Sequence, residues 1–288
     1  MRISLHIIKN KMKRIFIYIR DIKDRHANKK FINYMQQKAK LLNMKNSFFA
    51  NASGATKHSY STSSDLLRLL SFACTKTEIT NIWNLSNSTL KVNGKNCREI
   101  HISSQLTQNS RNKLLPYQIT GVKSGSWNNS HKALLMNCST SFDDFMLSLM
   151  VNDTFCFNNI YSISKELCDY IKFQKIGSYL DCFLNSGGSF SVIYNGKYIS
   201  HNDNTKHLPA STTKLLTVLC ALDYFSLTDK ITVHEIDITS GSGSNYYSGD
   251  ILTVEEALKG ILLESSNTLA QALGRATGEK IISLTKTQ

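Results

Sequence analysis

Apolar residues recur with helical spacing in some segments of this chain and alternate with polar residues in others. Residues 31–45 and 60–74 carry apolar positions three or four apart, which predicts two helices. Residues 187–201 consist of two short strand-like runs on either side of Asn195-Gly196, which predicts a β-hairpin. The chain is therefore expected to mix helices with strands.

The pattern predicts further elements in the rest of the chain. In chain order they are strands over 79–107 with a turn at 93–96, a strand pair at 117–127 and 131–140, helices joined by loops over 141–185, a helix after Ser211, a flexible loop at 240–245, and two helices over 253–278 that break near 264–267. Thr62 or Ser63 is the expected N-cap of the helix at 60–74, and Asp65 suits its first turn.

The balance of charge limits the classes of partner. The formal net charge is +13, which favours anionic partners such as nucleic acid, anionic lipid or a cell-wall polymer. No stretch interleaves basic and aromatic residues in a nucleic-acid-binding pattern, so we expect no nucleic-acid partner. A solvated basic surface is the simpler explanation of the charge.

Residues 1–30 are basic and partly apolar. Lysines and arginines interrupt this segment before the apolar core of a signal peptide forms, and no run reaches the roughly 18 apolar residues of a membrane span. We expect this segment to pack on the domain, with contact to a membrane surface as the alternative. The seven cysteines include no Cys-x-x-Cys pair, which indicates reduced, mostly buried thiols and neither a zinc site nor a disulfide framework.

Ser211 and Lys214 form a Ser-x-x-Lys pair at the start of an apolar helix. A three-residue offset puts both side chains on one helix face, within reach of each other. A serine hydroxyl needs a base to take its proton, and a lysine serves as that base if burial and a nearby positive charge lower its pKa. A simple helix cap is the alternative. Pro209 before the serine and the apolar helix after the lysine are the context that carries the family resemblance described below.

Two further triplets are candidates for the rest of a site. Ser265-Ser266-Asn267 lies at the predicted break between two helices, where a capping role is the alternative. Lys123-Ser124-Gly125 ends a predicted strand, where a plain β-turn is the alternative. Neither triplet is specific alone, but together with the Ser-x-x-Lys pair they form a set.

This set resembles the three motifs of the D-alanyl-D-alanine carboxypeptidase family, the low-molecular-mass penicillin-binding proteins. The segment from 31 to 150 resembles the family's back half, and the segment from 185 to 280 resembles its front half. Because the back half comes first, the two halves are in swapped order. Two residues depart from the family's pattern: Ser124 stands where the family's Lys-Thr-Gly has threonine, and Trp127 stands near a small or polar position of many relatives.

The resemblance implies an α+β fold of the β-lactamase/transpeptidase type, with an antiparallel sheet flanked by helices, a mostly helical subdomain and a circularly permuted chain. It divides the chain into a basic N-terminal extension (1–30), the back half with the Lys-Ser-Gly motif (31–150), a joining segment (151–185) and the front half with the other motifs (186–288). These form one composite catalytic domain. Such permutation is tolerated where the original termini lie close together. In the alternative, a rearranged gene, two chains complete each other as a domain-swapped dimer.

The resemblance also assigns catalytic roles to five residues. Ser211 would attack the carbonyl of a terminal D-Ala-D-Ala peptide bond, with Lys214 as general base. Ser265 would relay a proton to the leaving amine. Asn267 would hydrogen-bond Lys214 and the substrate amide, and Lys123 would help to keep Lys214 neutral.

Substrate contacts follow from the same resemblance. Ser124, with the lysine before it, would bind the terminal carboxylate, and the strand through Gly125 and Ser126 would pair with the substrate backbone. The N–H groups of Ser211 and Ser126 would form an oxyanion hole, with each donor contributing roughly 3 kcal/mol. Lys132 is a candidate for the basic residue that some relatives use to hold the carboxylate. The resemblance implies no metal and no organic cofactor.

The leading functional hypothesis is a serine-type D-Ala-D-Ala carboxypeptidase that acts on peptidoglycan stem peptides and binds β-lactams. A β-lactamase-like serine hydrolase is disfavoured, because the helix at 58–70 looks like that of the carboxypeptidases and we find no convincing loop with a deacylating glutamate. The third hypothesis is a rearranged, non-catalytic binder of wall peptide or β-lactam. The family implies an extracytoplasmic location in the cell envelope, with peripheral contact to membrane or anionic wall, although the chain shows no convincing export signal.

Overall fold

A computed structural model describes residues 2–106 and 108–286, and of residues 2–18 and 108–109 it describes the backbone alone. The α-helices within these residues are α1 (Arg2–Leu41), α2 (Ser63–Ala73), α3 (Thr77–Trp83), α4 (Gln108–Lys113), α5 (Thr154–Asn158), α6 (Ile160–Phe173), α7 (Ser178–Asn185), α8 (Thr213–Leu222), α9 (Val254–Leu262) and α10 (Asn267–Lys286). The strands are β1 (Asn87–Gly94), β2 (Arg98–Ser103), β3 (Gln118–Trp127), β4 (His131–Ser139), β5 (Asp144–Asn152), β6 (Ser189–Tyr194), β7 (Lys197–His201), β8 (Lys230–Thr232) and β9 (Asp250–Thr253).

The main sheet is antiparallel, with the strand order β3-β4-β5-β6-β7. Its central strand, β5, pairs on one side with β4 and on the other with β6, where Leu149 lies opposite Phe190. The early and late parts of the chain therefore share one sheet. The prediction of helices over the whole of 141–185 is wrong at β5. This strand is buried on both faces, so it has a nearly continuous apolar run and no strand-like alternation.

The two faces of the main sheet support separate cores. Ala133 and Leu135 on β4 face a core formed with α1, α2, α8, α9 and α10, whereas Leu134 and Met136 face a second core formed with α5, α6 and α7. This division follows from the pleat, because successive side chains of a strand point to opposite faces. The helices at 154–185 were predicted and are confirmed.

A smaller sheet with the order β2-β1-β9-β8 lies beside α9. The predicted hairpin within 79–107 is confirmed as β1 and β2, but the start of that segment belongs to α3 and not to a strand. Ile79, Ile82 and Trp83 are buried at helical spacing, which explains the difference.

Local signals predicted the other elements well. Thr62 is the N-cap of α2, with its Oγ1 accepting a hydrogen bond of 3.2 Å from Asp65 N. Asn195 and Gly196 have φ values of 45° and 79°, as the tight turn between β6 and β7 requires. The strand pair β3–β4 and the break between α9 and α10 are also confirmed.

The N-terminal helix α1 runs without interruption across the predicted boundary at residues 30 and 31. Asp24 and Ala27 are already buried, and α1 packs against α10. The expected packing on the domain is therefore seen from Asp24 onward, while the side chains of residues 2–18 lie outside the description. None of the described helices has the length and apolar character needed to cross a membrane. The cysteines are all free thiols, and Cys97 is the exposed one.

Candidate active site

The candidate nucleophile lies in a short 3-10 turn, Ala210–Thr212, immediately before α8. This turn, rather than the first turn of an α-helix, presents Ser211. Ala210 has a φ of 45°, a left-handed conformation that is costly for a residue with a Cβ atom. Lys214 is fully buried, and its Nζ donates a hydrogen bond of 2.6 Å to Ser211 Oγ. The predicted nucleophile and base are therefore in direct contact.

Two glycines allow other backbone segments to approach this turn closely. A Cβ atom on Gly125 would lie 2.6 Å from Ser211 N and 2.7 Å from Pro209 O. A Cβ atom on Gly54, whose φ is 75°, would lie 1.9 Å from Ala210 O. All of these neighbours are backbone atoms, which cannot move aside cheaply. Gly125 therefore allows β3 to lie directly against the backbone amide of Ser211, and Gly54 allows its own segment to pack against the backbone of Ala210.

Asn267 fixes the base from a second direction. Its side-chain Oδ1 accepts a hydrogen bond of 2.7 Å from Lys214 Nζ, and its Nδ2 donates to Ser240 O at 3.1 Å. The backbone N–H of Asn267 donates to Ser242 O at 3.0 Å. The loop predicted at 240–245 thus orients the amide so that its oxygen faces the lysine.

Ser265 and Lys123 form the second pair of the site. Lys123 Nζ donates to Ser265 Oγ and to Ser124 O, both at 2.9 Å. Ser265 is fully buried and has a φ of 63°, where the chain turns from α9 into α10. The strained turn directs its hydroxyl towards β3, which belongs to the other part of the chain.

Burial controls the protonation of both lysines. Desolvation lowers the pKa of Lys123 to about 7, with the positive charge of Lys132 as a smaller cause. Desolvation also lowers the pKa of Lys214 well below its usual value, and the positive charge of Lys123 adds to this. The hydrogen-bond acceptors of the two Nζ atoms are hydroxyl, amide and carbonyl oxygens. A carboxylate acceptor would raise the pKa of a lysine back towards its usual value, whereas these neutral oxygens do not. The arrangement favours a neutral Lys214 that takes a proton from Ser211.

Gln105 is a rim residue that the motifs did not reveal. Its Oε1 accepts a hydrogen bond of 3.1 Å from Ser124 Oγ, and its backbone N–H donates to Leu263 O at 3.0 Å. Gln105 therefore links the Lys-Ser-Gly strand to the helix that precedes Ser265. A lone glutamine after a strand carries no pattern that would have identified it.

The outer end of β3 presents Ser126 to solvent, directly opposite Lys132 in the strand register. Lys132 is half-buried, and its Nζ lies 4.5 Å from the centre of the Phe157 ring. Burial lowers the pKa of Lys132 as well. Trp127, at the end of β3, is half-buried. Lys132 thus lies beside the strand that is predicted to pair with substrate.

All five candidate catalytic residues come together in one cluster, although they lie far apart in the chain. Ser211, Lys214 and Asn267 form one hydrogen-bonded row, and Lys123 and Ser265 form a second. One strand beside the nucleophile turn carries all three candidate substrate-binding residues, Ser124, Gly125 and Ser126. A buried base bonded to a hydroxyl, with a second hydroxyl bonded to another lysine, is chemically suited to acyl transfer.

Two family models match this chain, in two separate segments. The model described as D-alanyl-D-alanine carboxypeptidase matches residues 26–154, which include Lys123, and the model described as the beta-lactamase enzyme family matches residues 174–286, which include Ser211 and Asn267. Neither the curated proteins nor the solved structures give a significant match. The predicted family resemblance is therefore confirmed, and the order of the two segments is consistent with a rearranged chain. The mixed α+β architecture, with antiparallel sheets flanked by helices, is consistent with the predicted β-lactamase-like fold, while the circular permutation stays a prediction.

Proposed function

We propose, from the premise that this chain joins a D-alanyl-D-alanine carboxypeptidase segment to a beta-lactamase-family segment, that it is a serine-type D-Ala-D-Ala carboxypeptidase acting on peptidoglycan stem peptides. The coarser statement, a serine hydrolase of the peptidase kind, already follows from the family segments. The observation that carries the proposal is the position of Lys214 Nζ, bonded to both Ser211 Oγ and Asn267 Oδ1.

Acylation begins when neutral Lys214 takes the proton of Ser211. The Oγ atom then attacks the carbonyl carbon of the D-Ala-D-Ala peptide bond, with the N–H groups of Ser211 and Ser126 as the oxyanion hole. Ser265 relays the proton held by Lys214 to the nitrogen of the departing D-alanine, and the C–N bond breaks. Lys214 is then neutral again, and Ser265 keeps its hydroxyl proton. The product of this step is an acyl-enzyme on Ser211.

In deacylation Lys214 acts as the general base a second time. It takes a proton from a water molecule, and the oxygen of that water attacks the acyl carbonyl. The bond to Ser211 Oγ then breaks, Lys214 returns the proton to Oγ, and the shortened peptide is released. Lys123 supports both steps, because its positive charge contributes to the lowered pKa of Lys214. Asn267 holds the lysine in place throughout.

Substrate recognition rests on the cationic side of the site. The carboxylate of the terminal D-alanine would be bound by Ser124 and Lys123, with Lys132 as the additional cation on the neighbouring strand. A half-buried lysine gains from pairing with an anion that enters the cleft, because the anion favours its charged form. β-Lactams carry a carboxylate in a comparable position and would acylate Ser211 in the same way.

A second candidate function is β-lactam hydrolysis, which the beta-lactamase match over residues 174–286 favours. Turnover separates the candidates. A carboxypeptidase releases D-alanine from a pentapeptide mimic and keeps a long-lived penicilloyl adduct, whereas a β-lactamase hydrolyses a chromogenic cephalosporin repeatedly. A non-catalytic binder would show neither turnover.

The direct experiment is labelling with a fluorescent penicillin, with Ser211→Ala as the control. The proposal expects one label per wild-type chain, no label on Ser211→Ala, and release of D-alanine from a pentapeptide mimic by the wild type. An unlabelled wild-type protein would overturn the catalytic proposal. Labelling without release of D-alanine and without hydrolysis of the cephalosporin would leave only the binder.

The proposed substrate also suggests a location. Peptidoglycan lies outside the cytoplasmic membrane, so we place the enzyme in the cell envelope, with peripheral contact to membrane or wall through its basic surface. Labelling of intact cells by a membrane-impermeant fluorescent penicillin tests this. Labelling that appears only after lysis would contradict an extracytoplasmic site.

A further inference from the structure

We propose that Asp24, His234 and Glu279 bind a divalent cation, with Zn²⁺ as the best match to the donors, at the contact between α1 and α10. Asp24 lies on α1, His234 precedes the 3-10 turn Glu235–Asp237, and Glu279 lies on α10. One ligand atom from each residue lies within 4.8 Å of the other two. An imidazole nitrogen with two carboxylate oxygens is a donor set that Zn²⁺ accepts. This site is separate from the cluster around Ser211, so the inference does not rest on the proposed activity.

The spacing of the first two donors already resembles that of ligands on one ion. Asp24 Oδ2 and His234 Nδ1 are 3.0 Å apart. Two ligands of a tetrahedral zinc ion, each about 2.0–2.1 Å from the metal, are about 3.3 Å apart. A small outward movement of the pair would therefore admit the ion, with the proton of the imidazole nitrogen released to solvent.

Glu279 supplies the third donor and faces open space. Its Oε1 accepts a bond of 3.0 Å from Arg275 Nη1, which uses one of its two oxygens. A cavity of about 390 Å³ is lined by His234 and Glu279, together with Arg275 and Lys280. Water from this cavity would complete a tetrahedral shell.

The local charges favour a cation. Asp24, Asp237 and Glu279 contribute three carboxylates around the guanidinium of Arg275, whose side chain is bonded mainly to Asp237. Lys280 points to Asp229 at 3.8 Å. Asp24 is only 3% exposed, and the charge of Arg275, which also serves Asp237 and Glu279, acts on it. A divalent ion would add positive charge to these three carboxylates.

The three residues lie where α1 and α10 pack closely together, so a bound ion would stabilise that contact. A Cβ atom on Gly278, the residue before Glu279, would lie 2.0 Å from Ala27 O, so α1 and α10 touch closely at this point. That contact joins α1 and α10, which lie far apart in the described chain. An ion held by Asp24 and Glu279 would fasten the two helices and stabilise the native state, because the unfolded chain has no such site.

Calorimetric titration of the full chain with ZnCl₂, after treatment with a chelator, tests the proposal. We expect one Zn²⁺ per chain and a concentration-dependent rise in the melting temperature. Glu279→Gln should weaken binding at least about tenfold. The matched control is Glu255→Gln, because Glu255 is also an exposed glutamate in an i,i+4 ion pair, at 2.7 Å from Lys259. This control should bind Zn²⁺ like the wild type.

His234→Gln adds a second arm, with His101→Gln as its control, since His101 is an exposed histidine bonded to Thr89. We expect only His234→Gln to lose the rise in melting temperature. Equal Zn²⁺ affinity for Glu279→Gln and Glu255→Gln, or no binding to the wild type, would overturn the proposal. Asp24 and His234 would then be an ordinary hydrogen-bonded pair.

Discussion

At the scale of single residues, the candidate site depends on two buried lysines that are not neutralised by carboxylates. Lys123 and Lys214 are both almost completely buried, and each bonds only to neutral oxygens. Desolvation is the larger cause of the lowered pKa in both cases, and the charge of a neighbouring lysine is the smaller one. Burial of these lysines therefore lowers the free energy of unfolding at pH values below the usual pKa of a lysine. In return, a neutral base lies beside Ser211.

This cost predicts a pH dependence of stability. The pKa of Lys123 is about 7 in the folded chain against 10.5 ordinarily, so between these values the unfolded state binds more protons and the free energy of unfolding rises with pH. Lys123→Met should remove up to about 1.4 kcal/mol per pH unit of this slope. Denaturant unfolding across that range measures it, with exposed Lys197→Met as the control. Equal slopes for the wild type and Lys123→Met would show that folding does not lower the pKa of Lys123.

Gly125→Ala tests the close approach of β3 to the nucleophile turn. The added Cβ atom would meet Ser211 N and Pro209 O, both backbone atoms, at less than 3 Å. Displacement of the turn should lower the rate of acylation by a fluorescent penicillin by roughly 100-fold.

Gly196→Ala is the control for a general loss of stability. Gly196 lies in the hairpin turn with a φ of 79° and has no atom within 4 Å of an added Cβ. This variant should lose about 1 kcal/mol of stability and keep its acylation rate. Equal rates for Gly125→Ala and the wild type would contradict the geometry at Ser211.

At the scale of elements, predictions held where the deciding forces are local. The cap at Thr62, the Asn195-Gly196 turn and the break near Ser265 are set by a few neighbouring residues, and all three were predicted. The strand β5 was missed because its apolar run reflects burial by β4 and β6, which lie elsewhere in the sequence. The helix α3 was missed because it has seven residues, and so short a pattern of apolar positions fits a helix and a strand alike.

The loop at 240–245 positions the candidate site through Glu264. This carboxylate accepts hydrogen bonds from Ser244 N at 3.1 Å, from Ser244 Oγ at 2.6 Å and from Tyr246 OH at 2.8 Å. The same loop accepts hydrogen bonds from Asn267 through the carbonyls of Ser240 and Ser242.

Ser244→Ala should therefore lower stability by about 1–2 kcal/mol, because a partly buried carboxylate loses a donor. The acylation rate should fall with it, since Asn267 becomes less well held. Chemical unfolding and penicillin labelling measure the two effects. A loss of stability with an unchanged labelling rate would show that the loop does not position Asn267.

At the scale of the whole molecule, three short motifs predicted which residues form the candidate site, but not the residues that surround it. Ser211 and Lys214 were found because a serine nucleophile needs a base at that spacing, and Lys123 was found because the segment around it resembles the family's second half. Gln105 was not found, because its role depends on the strand beside it and not on its sequence neighbours. The grouping of Asp24 with His234 and Glu279 likewise arises only when the first and last helices pack together.

The central claim is that one chain, with its two family segments in exchanged order, builds a complete site. The described chain brings Lys123 of the first segment to Ser265 of the second at 2.9 Å, and β5 pairs with β6 across the same division. The alternative is a domain-swapped dimer, in which Lys123 would come from another copy. Both arrangements use the same residues, so labelling of the wild type alone cannot separate them.

Complementation between two inactive variants separates them most directly. Ser211→Ala and Lys123→Met are unfolded together, refolded as a mixture and treated with fluorescent penicillin. If one chain forms the site, every chain in the mixture is defective, and labelling stays at the level of the separate variants in a fraction that elutes as a monomer. In a swapped dimer, an intact Ser211 meets an intact Lys123 in mixed pairs. Labelling restored by mixing, in a fraction that elutes as a dimer, would contradict the single-chain site.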